Sequence, residues 1–293
     1  MLGLRFLAAI LGATLVLSAP SNSSASIASF CGSNPTAEWR AEAEAHFIAN
    51  KVQGNLTADR PAYAVIQIYY HVVSNSRGQG AIPDNVLGQQ LNVLNRIYNN
   101  YGVYFQVAQT KRYTRDDWYS NINIDFLTQA EVDMKSNRIG GADALNIYFV
   151  GSIRDANGQT GTLGFATFPY QYQSAKYRDG IVYSNTAVPG GTSPNTNTGA
   201  VLAHEAGHWL GLFHTFEGGC RDGNNAGDYV ADTPAEASAA RDCAVRDSCP
   251  YSPGNDPVRN HMDYTDDFCR NQFTPGQVSR FQDQSRTYRG IYF

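Results

Sequence analysis

The chain has 293 residues, enough for one large domain or two small ones with a substantial core. Charged residues make up 16%, against about 25% in an average soluble domain, and 42% are hydrophobic, which excludes a disordered tail and a coiled coil. Lys and Arg number 22 against 26 Asp and Glu, a formal charge of -4, so no basic field exists to recruit nucleic acid.

Arg5 precedes an uncharged apolar run, Phe6 to Leu17, and the small residues Ser18 and Ala19 follow. That run is too short for a bilayer core, which needs about 20 residues, and it reads as a signal peptide over 1–19, with Ala25 as an alternative cleavage point. The expectation is an exported, extracellular protein without a membrane span. Asn22 and Asn55 open glycosylation sequons. Residues 20–35 are rich in Ser, Asn and Pro, and a helix is expected from there to about Asn50, with Trp39, Ala43, His46 and Phe47 on one side. Residues 54–61 form a loop and a plausible processing boundary. The expected division is therefore a prosegment over 20–60 and a single domain over 61–293.

Residues 63–73 (YAVIQIYYHVV) suit a strand covered on both faces. Pro83-Asp84 opens a helix whose Leu87, Leu91, Leu94 and Tyr98 keep helical spacing up to Gly102. Strands are expected at 103–107, 145–150, 162–168 and 180–183, with a short helix over 129–136. This alternation implies an α/β (α+β) fold with a mainly parallel twisted sheet. Beyond residue 215 the pattern gives way to Gly, Asp, Asn and Cys, apart from a last helix over 275–287. Cys220, Cys243, Cys249 and Cys269 allow two disulfides in three connectivities, and Cys31 stands apart from them.

The chemistry sits in 198–216, TGAVLAHEAGHWLGLFHTF. His204 and His208, four residues apart, project from one helix face with Glu205 beside them. Gly211 can stop the helix with a positive φ and turn the chain, so that His214 arrives as a third nitrogen ligand. Three neutral imidazoles with one open position describe a catalytic Zn²⁺ site, and Glu205 stands ready as a general base for a water. His71 and His261 read as structural. Asp222, Asn224, Asp228 and Asp232 offer oxygens to Ca²⁺, although no twelve-residue calcium loop is present.

The stretch HEAGHWLGLFHTF, followed by GDYVADTPAE and by Met262 in HMDY, resembles the metzincin zinc metalloproteases. In particular it resembles the pappalysin family, with its closest likeness to the secreted fungal extracellular metalloproteinases. The resemblance covers residues 60–293. It implies a zinc endopeptidase, expected as a monomer, acting on protein or peptide substrates. The sheet, a backing helix and the zinc helix would lie above the cleft, and a disulfide-linked irregular subdomain with the C-terminal helix below it. It further implies a Met-turn at Met262 beneath the metal and a Tyr264 hydroxyl near it. Substrate would bind antiparallel to an edge strand at Gly164, Phe165, Ala166 and Thr167. The implied disulfides are Cys220–Cys249 and Cys243–Cys269, with a Cys243–Cys249 pair as the alternative. Cys31, in FCGSNP, resembles the latency cysteine of the family's prosegments, whose thiolate would close the open zinc position. Asp267 falls where the family places an acidic pocket base, implying cleavage before Arg or Lys, whereas a solvated Asp266–Asp267 pair is the other reading.

Overall fold

The computed structural model describes residues 30–52, 63–220 and 227–293. The expected signal peptide, Asn22, Asn55, Asp222 and Asn224 lie outside them. Among the described residues no helix is long and apolar enough to cross a membrane.

Helix α1 is Ala37–Asn50, capped by the Thr36 hydroxyl, which accepts from Trp39 N. Strand β1, Ala64–Ser74, and helix α2, Asp84–Tyr98, follow. Gly102, at φ 80°, turns the chain into β2, Val103–Thr114. Next come α3, Asp116–Ser120, β3, Ile122–Asn123, and α4, Gln129–Lys135. Strands β4, Leu145–Val150, β5, Ile153–Arg154, β6, Thr160–Thr162, β7, Gly164–Ala166, and β8, Ile181–Ser184, complete two sheets. The main sheet has the order β2-β1-β4-β8-β7, parallel except for β7, which runs antiparallel at the edge. A small sheet orders β3-β5-β6.

Every residue of β4 is buried, including Asn146, the one amide in the run, whose Oδ1 meets His71 Nε2 and Ile139 N. Its alternate residues serve two cores. Leu145, Ile147 and Phe149 meet Leu94, Tyr98 and Leu202 on one face. Tyr148 and Val150 meet Trp118 and Met134 on the other. The expected strand over 162–168 is divided, because β6 pairs with β5 and β7 with β8. Strand β2 runs to Thr114, seven residues beyond the expectation; its far half is an edge strand with polar, largely exposed side chains, so no apolar run marks it.

Helix α5, Ala200–Trp209, is buried all round and crosses behind the sheet. Helix α6, Pro275–Arg289, carries a Thr274–Gln277 capping box, Pro275 in its first turn and Gly290 at φ 66° after its end. Between α5 and α6, the described residues of 215–274 contain no helix or ladder strand. Disulfides Cys220–Cys249 and Cys243–Cys269 tie that segment, the pairing the resemblance implied.

Candidate active site and metal centre

Helix α5 supplies His204, Glu205 and His208 from one buried face. Gly211 adopts φ 107°, and a Cβ there would meet the Gln284 side chain of α6 at 2.7 Å, so glycine serves both the turn and the close approach. The turn delivers His214. His208 Nε2 lies 3.1 Å from His204 Nε2 and 3.0 Å from His214 Nε2. Each ring's other nitrogen has its own acceptor: the His261 carbonyl at 2.7 Å, the Leu212 carbonyl at 2.8 Å and Glu217 Oε1 at 3.1 Å.

Those acceptors hold the proton on Nδ1 and leave three Nε2 lone pairs aimed at one another with no proton between them. A tetrahedral ion at about 2.0–2.1 Å from each nitrogen resolves that opposition, since it sets N···N separations near 3.3 Å. Burial keeps all three imidazoles neutral, as metal ligation requires, and pushes His214 down to about 3. The donor set fits zinc.

The Cys31 thiol lies at the same point. Its Sγ is 3.4 Å from His208 Nε2 and 3.5 Å from Glu205 Oε2, and the four ligand atoms of Cys31, His204, His208 and His214 lie within 4.8 Å of one another. Burial, then the charge of Glu205, raises the thiol's pKa well above normal. Burial raises Glu205 to about 8, against hydrogen bonds from Cys31 and Ser33; the Ser33 hydroxyl lies 3.3 Å from its Oε2. Residues 30–33 lie along β7: the Phe30 carbonyl accepts from Leu163 N and Gly164 N, Gly32 N donates to Gly164 O, and Ala166 N donates to Ser33 Oγ. The Cys31–Gly164 bridge is parallel. Gly164 is glycine for a local reason, because a Cβ would sit 2.8 Å from Glu205 Cγ.

Met262 is fully buried beneath the histidines, and Gly207 makes its room; a Cβ on Gly207 would meet Met262 Sδ at 2.5 Å. Tyr264 Oη donates to Cys31 O at 3.3 Å and to Asn34 Oδ1 at 3.2 Å, with its ring 4.8 Å from that of His214. Of the expected edge, Gly164 and Ala166 direct backbone groups at residues 30–33. Phe165 instead pairs with Val182, and Thr167 turns its amide to Gly180 and its hydroxyl to Asp179. Asp267 is buried, with Oδ2 accepting from Thr198 N and Oγ1 and Oδ1 from Arg270 Nη2.

Four partners fall outside the motifs, and one of them carries a faint local hint. Arg270 stands three residues after Asp267 in an irregular segment. Glu217 binds both His214 and Arg40, and its spacing of three from His214 is the one local hint. Asp179 joins Arg138, Arg289 and Trp209 Nε1, and Ser33 reaches Glu205. His71 is structural, bonded to Asn146 and Tyr113. For calcium, Asp232 is already engaged by Thr274 Oγ1 and Gly276 N at the start of α6. Among the described residues the only metal-competent group is the one containing the three histidines.

Residues 130–285 match the Peptidase M43 family, described as pregnancy-associated plasma protein-A. Extracellular metalloprotease 1 of Coccidioides posadasii is 40% identical over 263 residues, covering 88% of this chain and 90% of that protein. An extracellular metalloprotease of Pyricularia oryzae is 41% identical over 254 residues, 85% of this chain and 83% of the other. Among solved structures, a promirolysin mutant of Tannerella forsythia overlays with a TM-score of 0.69 at 22% identity, covering 88% of this chain and 94% of that one. Mature mirolysin in complex with a cleaved peptide gives 0.63 at 23% identity, with 78% and 96% covered.

Proposed function

The chain belongs to the Peptidase M43, or pappalysin, family of metalloendopeptidases, and from that premise we propose that it is a zinc endopeptidase exported as a latent precursor, with residues 20–60 as its prosegment. The observation that carries the reading is the meeting of three Nε2 atoms, the Glu205 carboxylate and the Cys31 thiol at one buried point.

His204, His208 and His214 would hold the zinc, which would supply Lewis acidity to a water and to the scissile carbonyl. Glu205 takes the proton of that water and passes it to the leaving amine. Its Oε2, now facing Cys31 and Ser33, is the oxygen a water would reach once residues 30–33 depart. The Tyr264 hydroxyl, released from the Cys31 carbonyl and Asn34, would turn to the reacting carbonyl. A substrate strand would take the β7 edge at Gly164 and Ala166 antiparallel. Residues 30–33 use the same edge in the parallel sense, and a reversed chain presents its peptide groups wrongly for attack.

Latency is supported by the Cys31 geometry and by the larger share of this chain that overlays the pro-form than the mature form of mirolysin. The relatives' extracellular names support export, to which the signal peptide over 1–19 and glycans at Asn22 and Asn55 belong. The finer preference for Arg or Lys after the scissile bond needs a bare carboxylate, and Asp267 is already matched by Arg270. We therefore leave it out of the proposal.

Replacing Glu205 with Gln tests the mechanism. Casein hydrolysis should fall by about 10²–10⁴-fold while zinc content stays at one per chain; retained activity overturns the reading. Cys31→Ala tests latency, and should activate and trim itself before wild type does. A Cys31→Ala chain that stays as inert as wild type removes the thiol from the switch.

A further inference from the structure

Phe30 sits where the segment in the cleft meets the residues after the Met-turn. Its ring lies 5.0 Å from that of His204 and 4.5 Å from that of Tyr264, and the Arg270 guanidinium stands over it at 5.0 Å. Phe30 precedes Cys31, the residue at the metal point, and the segment runs parallel to β7. A substrate running antiparallel along the same edge would bring the residue just after its scissile bond to the place Phe30 holds.

The Arg270 side chain is fully buried and paired with Asp267, whose side chain is equally buried. Asp267 already accepts three hydrogen bonds, from Arg270 Nη2 on Oδ1 and from Thr198 N and Oγ1 on Oδ2, so a second cation would find one remaining lone pair on the oxygen that Arg270 holds. Arg270 Nε and Nη1 have no hydrogen-bond partner. The guanidinium is thus fixed by one carboxylate, with a face turned to whatever ring or chain fills the pocket.

We infer that Arg270 is the specificity-determining residue of this pocket, which takes a neutral aromatic side chain, Phe or Tyr, just after the scissile bond and rejects Arg and Lys. A substrate cation would meet a like charge at van der Waals distance, and could reach Asp267 only by stripping Arg270 of its single carboxylate in a buried site. A flat ring replaces the contact that Phe30 makes. It also leaves the Asp267–Arg270–Thr198 arrangement intact. The inference rests on the peptidase reading above and names the substrate class of the same site.

The test is mass spectrometry of products from a mixed peptide library cut by the activated full-length enzyme. Cleavage before Phe or Tyr should exceed cleavage before Arg or Lys by at least about tenfold. Arg270→Met leaves Asp267 as a buried anion without its partner and should reverse that ratio, with zinc content unchanged. A wild-type preference for Arg, Lys, Asp or Glu overturns the inference, as does an Arg270→Met profile that matches wild type. If Arg270→Met fails to fold, Phe30 itself supplies the readout. Phe30→Arg should weaken latency and speed activation by at least about tenfold, whereas Phe30→Tyr should not; equal activation rates overturn the inference. A failed peptidase reading looks different, since no variant would then cut any peptide.

Discussion

Above the cleft, β1, β4, β8, α2 and α5 bury Ile66, Ile68, Leu94, Ile147, Phe149 and Leu202 completely in one continuous apolar cluster. Below it, residues 215–274 bury Asp228, Glu236, Asp256, Asn260, Asp263, Asp267 and Arg270 with few large apolar side chains, and two disulfides join the loops. The sheet half folds by area, and its geometry follows from periodicity. The loop half folds by specific pairing, so its geometry depends on which partner each polar group finds. The candidate site is built across the join: His204, Glu205 and His208 come from the sheet half, His214 from the turn after α5, and Met262, Tyr264 and Arg270 from the loop half. Divided labour of this kind gives a rigid metal frame on which pocket residues can change without disturbing the histidines.

One polar network crosses into the sheet half, and its removal should have the largest effect. Asp179 is fully buried between Arg138 and Arg289, and it also accepts from Trp209 Nε1 and Thr167 Oγ1. Burial works to raise its carboxyl, but Arg289 and Arg138 more than offset this and hold it below the usual range. Arg289 stacks 3.6 Å from the Trp209 ring and donates to the Trp209 carbonyl, so this network clamps α6 to the zinc helix. Asp179→Ala strands two guanidiniums and should cost about 3–5 kcal/mol by denaturant unfolding. A loss below about 1 kcal/mol would mean the sheet half stands on apolar area alone.

The second effect belongs to the loop half. Replacing Cys243 and Cys269 together by Ser removes a crosslink with a sequence separation of 26, worth about 3 kcal/mol in the chain-entropy picture. The damage should be local, with faster hydrogen exchange across 243–269 and near-native exchange in β1 and β4. Uniform acceleration in both halves would erase the distinction between them.

The same division explains what could be read from residue order. The zinc motif was legible because its parts lie within one helix and one turn, and because Gly211 marks the turn. The strand at 145–150 was legible because both faces are covered; that at 63–73 was legible from its β-branched and aromatic run, although Val65, Gln67 and Tyr69 leave one face of its first half open, against the expectation of cover on both faces. The edge half of β2 was not, since its exposed polar residues carry no apolar signature. Asp179 and Arg289 stand 110 residues apart in sequence, and nothing in either neighbourhood announces the other. Asp267 was found by resemblance, but its pairing with Arg270 was not, since Arg270 stands in an irregular segment that obeys no period. Long-range polar pairing is what pattern reading lacks, and the loop half contains little else.

The smallest predicted effect separates the halves by pH. Burial raises Asp228 to about 7 and Asp263 to about 6. Burial and then the charge of Asp263 raise Glu236 to about 8, outweighing the Thr215 hydroxyl and the Arg246 guanidinium. A carboxyl whose pKa is higher folded than unfolded binds its proton more tightly in the native state. Its stabilising contribution is therefore full below the unfolded pKa and is lost as pH rises through the folded one. From Glu236 alone the remaining loss between pH 7 and 9 is about 1 kcal/mol. The loss read through Glu236 belongs to the loop half; burial also raises Glu205 of the sheet half to about 8, but Glu205 stands in wild type and in Glu236→Gln alike, while His71 falls to about 4 and Asp179 is held low. Urea midpoints at pH 7, 8 and 9 should fall more steeply for wild type than for Glu236→Gln, which has no proton to lose there. Asp228 remains in both proteins, so its share cancels in the comparison. Parallel slopes would mean that Arg246 keeps Glu236 ionised throughout, and that the loop half holds its buried acids as ion pairs instead of neutral carboxyls.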